Sequence, residues 1–126
     1  QLNNCTKLFE KRVSIVNKYI DCLNGYSKIK LLDIYCSGTI YHIMPILVER
    51  KIRDNLRYLL LKDNIETGIH YHPNHLLDFF KSDYKLPGAE SFGKETISIP
   101  LHSALNDAEQ LFVIDRLKYH LDNLLC

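Results

Sequence analysis

A chain of 126 residues, 46% hydrophobic and 25% charged, has the make-up of an ordinary globular protein and the length for one domain. Its 16 Lys+Arg against 15 Asp+Glu leave no basic excess, so nucleic acid is not an expected partner. No apolar run approaches the roughly 20 residues that span a bilayer, so no membrane partner is expected either.

Residues 4–24 form a predicted helix. Phe9, Val13, Val16, Ile20 and Leu23 recur at spacings of four and three, which is one helical face, and Asn24-Gly25 stops it. Ile29 to Tyr35 and Tyr41 to Val48 read as strands, broken at Ser37-Gly38. The second is apolar on both faces, which suits a covered strand. Pro45 within it has no N–H for the ladder and demands a bulge or an edge at that point. A second helix runs from about Arg50 to Lys62, with Ile52, Leu56, Leu59 and Asp63 marking one stripe and Leu60 widening it.

Gly68 to Tyr71 reads as a short strand, Leu76 to Phe80 as a helical turn and Leu86-Pro87-Gly88 as a turn. Ala89 to Glu95 is a predicted short helix and Thr96 to Ile99 a short strand ended by Pro100. The last helix, residues 106–125, opens on Asn106 with Glu109 three residues on, the spacing of a capping box. Its expected buried face is Leu111, Ile114, Leu117, Leu121 and Leu124. Helices and strands mix without a strict βαβ rhythm. The expected fold is therefore α+β, a small, mostly antiparallel sheet packed with helices.

No repeat or Pro/Gly/Ser-rich linker divides the chain, so residues 1–126 read as a single domain. Cys5, Cys22, Cys36 and Cys126 are scattered without CxxC spacing, which suits free thiols in a reducing, cytoplasmic setting. No signal-peptide pattern opens the chain, and a start at Gln1 rather than Met is expected of a truncated product.

The densest polar cluster is His70-Tyr71-His72-Pro73-Asn74-His75, which holds three of the six histidines. Residues two apart on a strand share a face, so His70 and His72 with His75 make a candidate metal half-site. Supporting ligands are scarce nearby, and imidazole and phenol groups at a strand end also suit sugar hydroxyls. The second use is the preferred one. His42, beside apolar strand residues, reads as a packed or interface histidine. Lys94 in Ser91-Phe92-Gly93-Lys94 reads as a solvated helix lysine, and an exposed lysine of ordinary pKa is a poor Schiff-base former. No GxSxG, HExxH or phosphate-cradling glycine loop is present.

From Asn64 onward the order of motifs resembles the end of the DegT/DnrJ-type sugar aminotransferases. The residues that carry the resemblance are Thr67-Gly68-Ile69-His70-Tyr71, then Pro73 and His75, then Leu86-Pro87 with Ala89-Glu90. Ile97-Ser98-Ile99-Pro100-Leu101 and Leu105-Asn106-Asp107 with Glu109 follow in register, with Asn where Thr is common. The resemblance is looser before residue 40 and weakest over residues 26–38.

This resemblance implies the C-terminal small domain of a fold-type-I, pyridoxal-phosphate (PLP)-dependent enzyme. The implied partner is a PLP-binding large domain that carries the Schiff-base lysine, and the implied whole is a homodimer. The implied reaction moves an amino group from glutamate to a keto group on a nucleotide-linked sugar, with PLP as the electron sink. Neither a catalytic residue nor bound PLP is expected in these 126 residues. The family pattern makes His70 and Tyr71 substrate contacts, with Asn74 and His75 in the adjoining loop. The alternative is a stand-alone binding module that kept the domain and lost catalysis.

Overall fold

The computed structural model describes residues 5–33 and 39–125. The elements in order are α1 (Cys5–Leu23), β1 (Lys30–Leu31), β2 (Met44–Leu47), α2 (Arg53–Lys62), α3 (Pro87–Glu95), β3 (Thr96–Ile99) and α4 (Asp107–Leu124). The class is α+β as expected. The strands form one antiparallel sheet in the order β1-β2-β3.

Several predicted elements are shorter than their patterns. The first predicted strand is reduced to Lys30–Leu31, and its end at residues 34 and 35 lies outside the described residues. Of the predicted strand from Gly68 to Tyr71, Gly68 pairs with Ser98 as an isolated bridge. Leu76 to Phe80 is split between two 3-10 turns, Asn74–Leu76 and Asp78–Phe80. The turn expected at Leu86-Pro87-Gly88 instead starts α3. Pro87 stands in the first turn, where a missing N–H is no loss.

Pro45 sits in the central strand without a bulge, since Met44, Pro45, Ile46 and Leu47 pair in unbroken register with Ile99, Ser98, Ile97 and Thr96. Ser98 directs its backbone N–H and C=O to Gly68 on the other side, so Pro45 is not asked for a donor there. On its own outer side β1 has already ended, because Leu31 pairs with Ile46. Pro45 thus occupies a local edge within a central strand.

Ile46 opposes Ile97 and Met44 opposes Ile99, so these four share one face of the sheet. They join a buried cluster with Val16 and Tyr19 of α1, Leu56 and Leu60 of α2, and Leu117 and Leu121 of α4. Burying each such side chain contributes about 1.5–3 kcal/mol, which makes this cluster the main source of stability.

The buried faces of two helices differ from the apolar stripes. In α1 the buried residues are Ile15, Val16, Tyr19 and Leu23, whereas Val13 is exposed and Phe9 and Ile20 are half-buried. In α4 Leu111 is exposed, because six residues from Leu117 is about 120° round the helix. Gln110 and His120 take the buried places instead. Gln110 Nε2 donates to the Ile15 carbonyl at 2.6 Å and so ties α4 to α1. Asp63, which caps the C-terminus of α2, accepts from Arg116 Nε at 2.7 Å and lies 2.6 Å from His120 Nε2. The capping box of α4 forms in both halves: Glu109 N donates to Asn106 Oδ1 and Asn106 N to Glu109 Oε2, each at 2.9 Å.

Among the described cysteines, Cys5 and Cys22 are free, while Cys36 and Cys126 lie outside the described residues. No helix among the described residues is long and apolar enough to cross a membrane.

Candidate functional site

The second face of the sheet carries Thr96 and Ser98, both buried. The segment after α2 returns along this edge. Arg57 fixes its start, donating from Nε to Thr67 Oγ1 at 3.2 Å and from its terminal nitrogen to the Thr67 carbonyl at 3.1 Å. Gly68 then exchanges two backbone hydrogen bonds with Ser98, at 3.0 and 2.8 Å. Two residues on, His70 Nδ1 lies 2.9 Å from Ser98 Oγ. The Tyr71 ring meets the His70 ring edge-on at 4.9 Å, and Tyr71 itself is 62% exposed.

A cleft of about 340 Å³ opens beside this pair, with His42, Glu66, Thr67, His70, Ser98 and Leu101 in its wall. It offers two imidazoles, one carboxylate and two hydroxyls, a mixture of donors and acceptors suited to a polyhydroxylated ligand. His42 is exposed, so the packed position expected for it is not what the fold provides.

The other predicted contacts lie elsewhere. Asn74 is exposed at the start of a 3-10 turn and does not line this cleft. His75 is buried, with Nε2 3.2 Å from Glu90 Oε1. Glu90 also accepts from the Leu86 N–H at 3.2 Å. The His75 bond first, and the Leu86 bond second, hold the Glu90 carboxyl below its usual range. His75 therefore ties its loop to α3. The three clustered histidines do not converge as a metal half-site would require. His70 turns to Ser98, His75 to Glu90, and among the described residues no group of three or more His, Cys, Asp or Glu is placed to hold a metal ion.

Pattern reading did not single out Ser98, Gly68 and Glu90 for this site. The signal was present in part: Ser98 is a hydroxyl between two isoleucines of a strand, and Gly68 is a glycine inside a predicted one. Lys94 is exposed in the last turn of α3.

Solved structures share this arrangement of elements. The aminotransferase TlmJ from Streptoalloteichus hindustanus matches with a TM-score of 0.92 at 26% identity, over 98% of this chain and 34% of that one. The PLP form of the sugar aminotransferase Spr1654 from Streptococcus pneumoniae matches with a TM-score of 0.90 at 27% identity, over 100% of this chain and 34% of that one. The fold is thus one found within sugar aminotransferases. Residues 1–118 match the DegT/DnrJ/EryC1/StrS aminotransferase family, and the chain belongs to that family.

Among curated relatives, a UDP-4-amino-4,6-dideoxy-N-acetyl-beta-L-altrosamine transaminase of Campylobacter jejuni is 32% identical over 126 residues, covering 93% of this chain and 33% of that protein. A dTDP-4-dehydro-2,3,6-trideoxy-D-glucose 4-aminotransferase of Saccharopolyspora spinosa is 28% identical over 117 residues, covering 91% and 30%. The chain spans about a third of the length of these relatives.

Proposed function

We propose that this chain is the C-terminal domain of a PLP-dependent nucleotide-sugar aminotransferase, and that His70 and Tyr71 contact the sugar nucleotide. The observation that carries the reading is the His70 imidazole, held in the wall of a polar cleft beside an exposed Tyr71, on a chain matched to the family over residues 1–118. In this reading Asn74 contacts the substrate from the adjoining loop, outside the cleft itself, and His75 acts through Glu90 to hold that loop. The amino donor is glutamate, PLP and its lysine belong to a large domain outside these residues, and the whole enzyme is a homodimer. The chain takes no PLP and transfers no amino group by itself.

Two exposed apolar surfaces support a covering partner. Leu76, Phe79, Phe80, Tyr84 and Leu86 are exposed within one short segment, Phe79 by 90%. On α1, Phe9 and Val13 face Ile40 across an open cleft of about 780 Å³. A large domain, in the same or a separate polypeptide, is the occupant we propose. A stand-alone binding module would need a separate partner for the same surfaces, and the native mass of the polypeptide separates the two readings.

The test is His70→Ala and Tyr71→Ala in the complete enzyme. Each is expected to raise KM for the sugar nucleotide about tenfold, the worth of one substrate hydrogen bond near 1.4 kcal/mol, with PLP still bound. Unchanged kinetics with the sugar substrate would remove both residues from the site.

A further inference from the structure

The His70 ring occupies the space that a side chain at Gly68 would fill. A Cβ on Gly68 would stand 2.4 Å from His70 Cε1 and 2.9 Å from its Nδ1. Gly68 and Ser98 are direct partners across the sheet edge, and partners in such a pair project their side chains to the same side. With only hydrogen on Gly68, the imidazole folds into the empty half of that pair. Its Nδ1 thereby comes to 2.9 Å from the Ser98 hydroxyl.

Ser98 is 5% exposed, and among the described residues its hydroxyl has this one side-chain partner. A neutral imidazole carries one proton, on Nδ1 or on Nε2. If Nδ1 held it, the hydroxyl would accept, and its own proton would meet no protein acceptor among the described residues. If Nε2 holds it, the hydroxyl donates to Nδ1 and both groups are satisfied. Burying an unmade donor is unfavourable, so the second arrangement is preferred.

We infer that Ser98 is the positioning residue for His70. It fixes the neutral ring with its proton on Nε2, so that His70 meets a substrate oxygen as a hydrogen-bond donor. Gly68 completes the device by leaving room for the ring, and Arg57 holds the segment through Thr67. The geometry stands on its own; the use made of it rests on the proposed sugar-nucleotide contact.

The test is a nitrogen–proton correlation spectrum of histidine-labelled intact protein, without ligand, at about pH 8, above the ordinary histidine range. His70 is expected in a single Nε2–H tautomer. Ser98→Ala should turn that signal into a mixture of tautomers, Ser98→Thr should keep it single, and the other five histidines of these 126 residues should report an unchanged fold. An Nδ1–H tautomer in the parent protein overturns the inference, whatever the variants do. So does a single unchanged tautomer in Ser98→Ala. In turnover assays of the complete enzyme Ser98→Ala should raise KM for the sugar nucleotide about three- to tenfold, with kcat affected less. A tautomer change with KM unmoved would uphold the role of Ser98 and reject the sugar contact at His70.

Discussion

Replacing Gly93 by alanine opposes two effects of similar size. Gly93 lies in α3, where alanine is favoured over glycine by about 1 kcal/mol. The new Cβ, however, would stand 2.8 Å from Pro73 Cδ and 3.2 Å from Pro73 Cγ, with the Tyr71 carbonyl oxygen at 3.6 Å. Pro73 is a ring in a loop tied at Ser98 on one side and at Glu90 on the other, so it has little freedom to retreat. Overpacking of this kind costs about 1–3 kcal/mol. The net expectation is a loss of roughly 0–2 kcal/mol. Gly88 lies on the same helix, and a Cβ there would meet nothing within 4 Å. Gly88→Ala should therefore leave stability unchanged or raise it by up to about 1 kcal/mol. Equilibrium urea unfolding of both variants isolates the contact with Pro73 as the difference between them, about 1–3 kcal/mol. A Gly93→Ala protein as stable as Gly88→Ala would refute the claim that α3 and the His70–His75 loop are in firm contact.

Thr96 Oγ1 is buried with no hydrogen-bond partner among the described residues, so Thr96→Val, of nearly the same shape, should raise stability by about 1 kcal/mol. A loss of stability, read from the same unfolding curves, would mean that the hydroxyl is satisfied after all. The bonds from Arg116, and next from His120, hold the Asp63 carboxyl below its usual range. Because the folded value lies below the unfolded one, this stabilisation is complete above the ordinary carboxylate pKa near about 4 and is lost as pH falls through the lowered value. Asp63→Asn should thus destabilise at neutral pH, with the gap to the parent closing in acid. Urea midpoints across the acid limb that stay a constant distance apart would contradict this.

What was legible in the sequence was mostly local. A helical stripe, a capping box and a proline-ended strand are set by residues three or four apart, so α1, β3 and the start of α4 fall close to their expected places. The ordered motifs from Thr67 to Glu109 carried the family likeness for the same reason, since each is a short run of neighbours. Periodicity was a weaker guide to burial. It counts apolar residues, whereas the fold buries a position by its angle on the helix, which is how Gln110 and His120 displaced Leu111 in α4.

The site itself was decided by pairings that no local rule links. Ser98 and His70 are 28 residues apart, and His75 and Glu90 are 15 apart. The sequence by itself determined the α+β class, the family and the histidine-rich loop as the place to look. Only the tertiary structure separated His70, turned onto the sheet edge by the missing side chain of Gly68, from His75, drawn inward by Glu90. Adjacent residues of one type share a propensity, but what each touches depends on which distant strand or helix the backbone hydrogen bonds bring beside it.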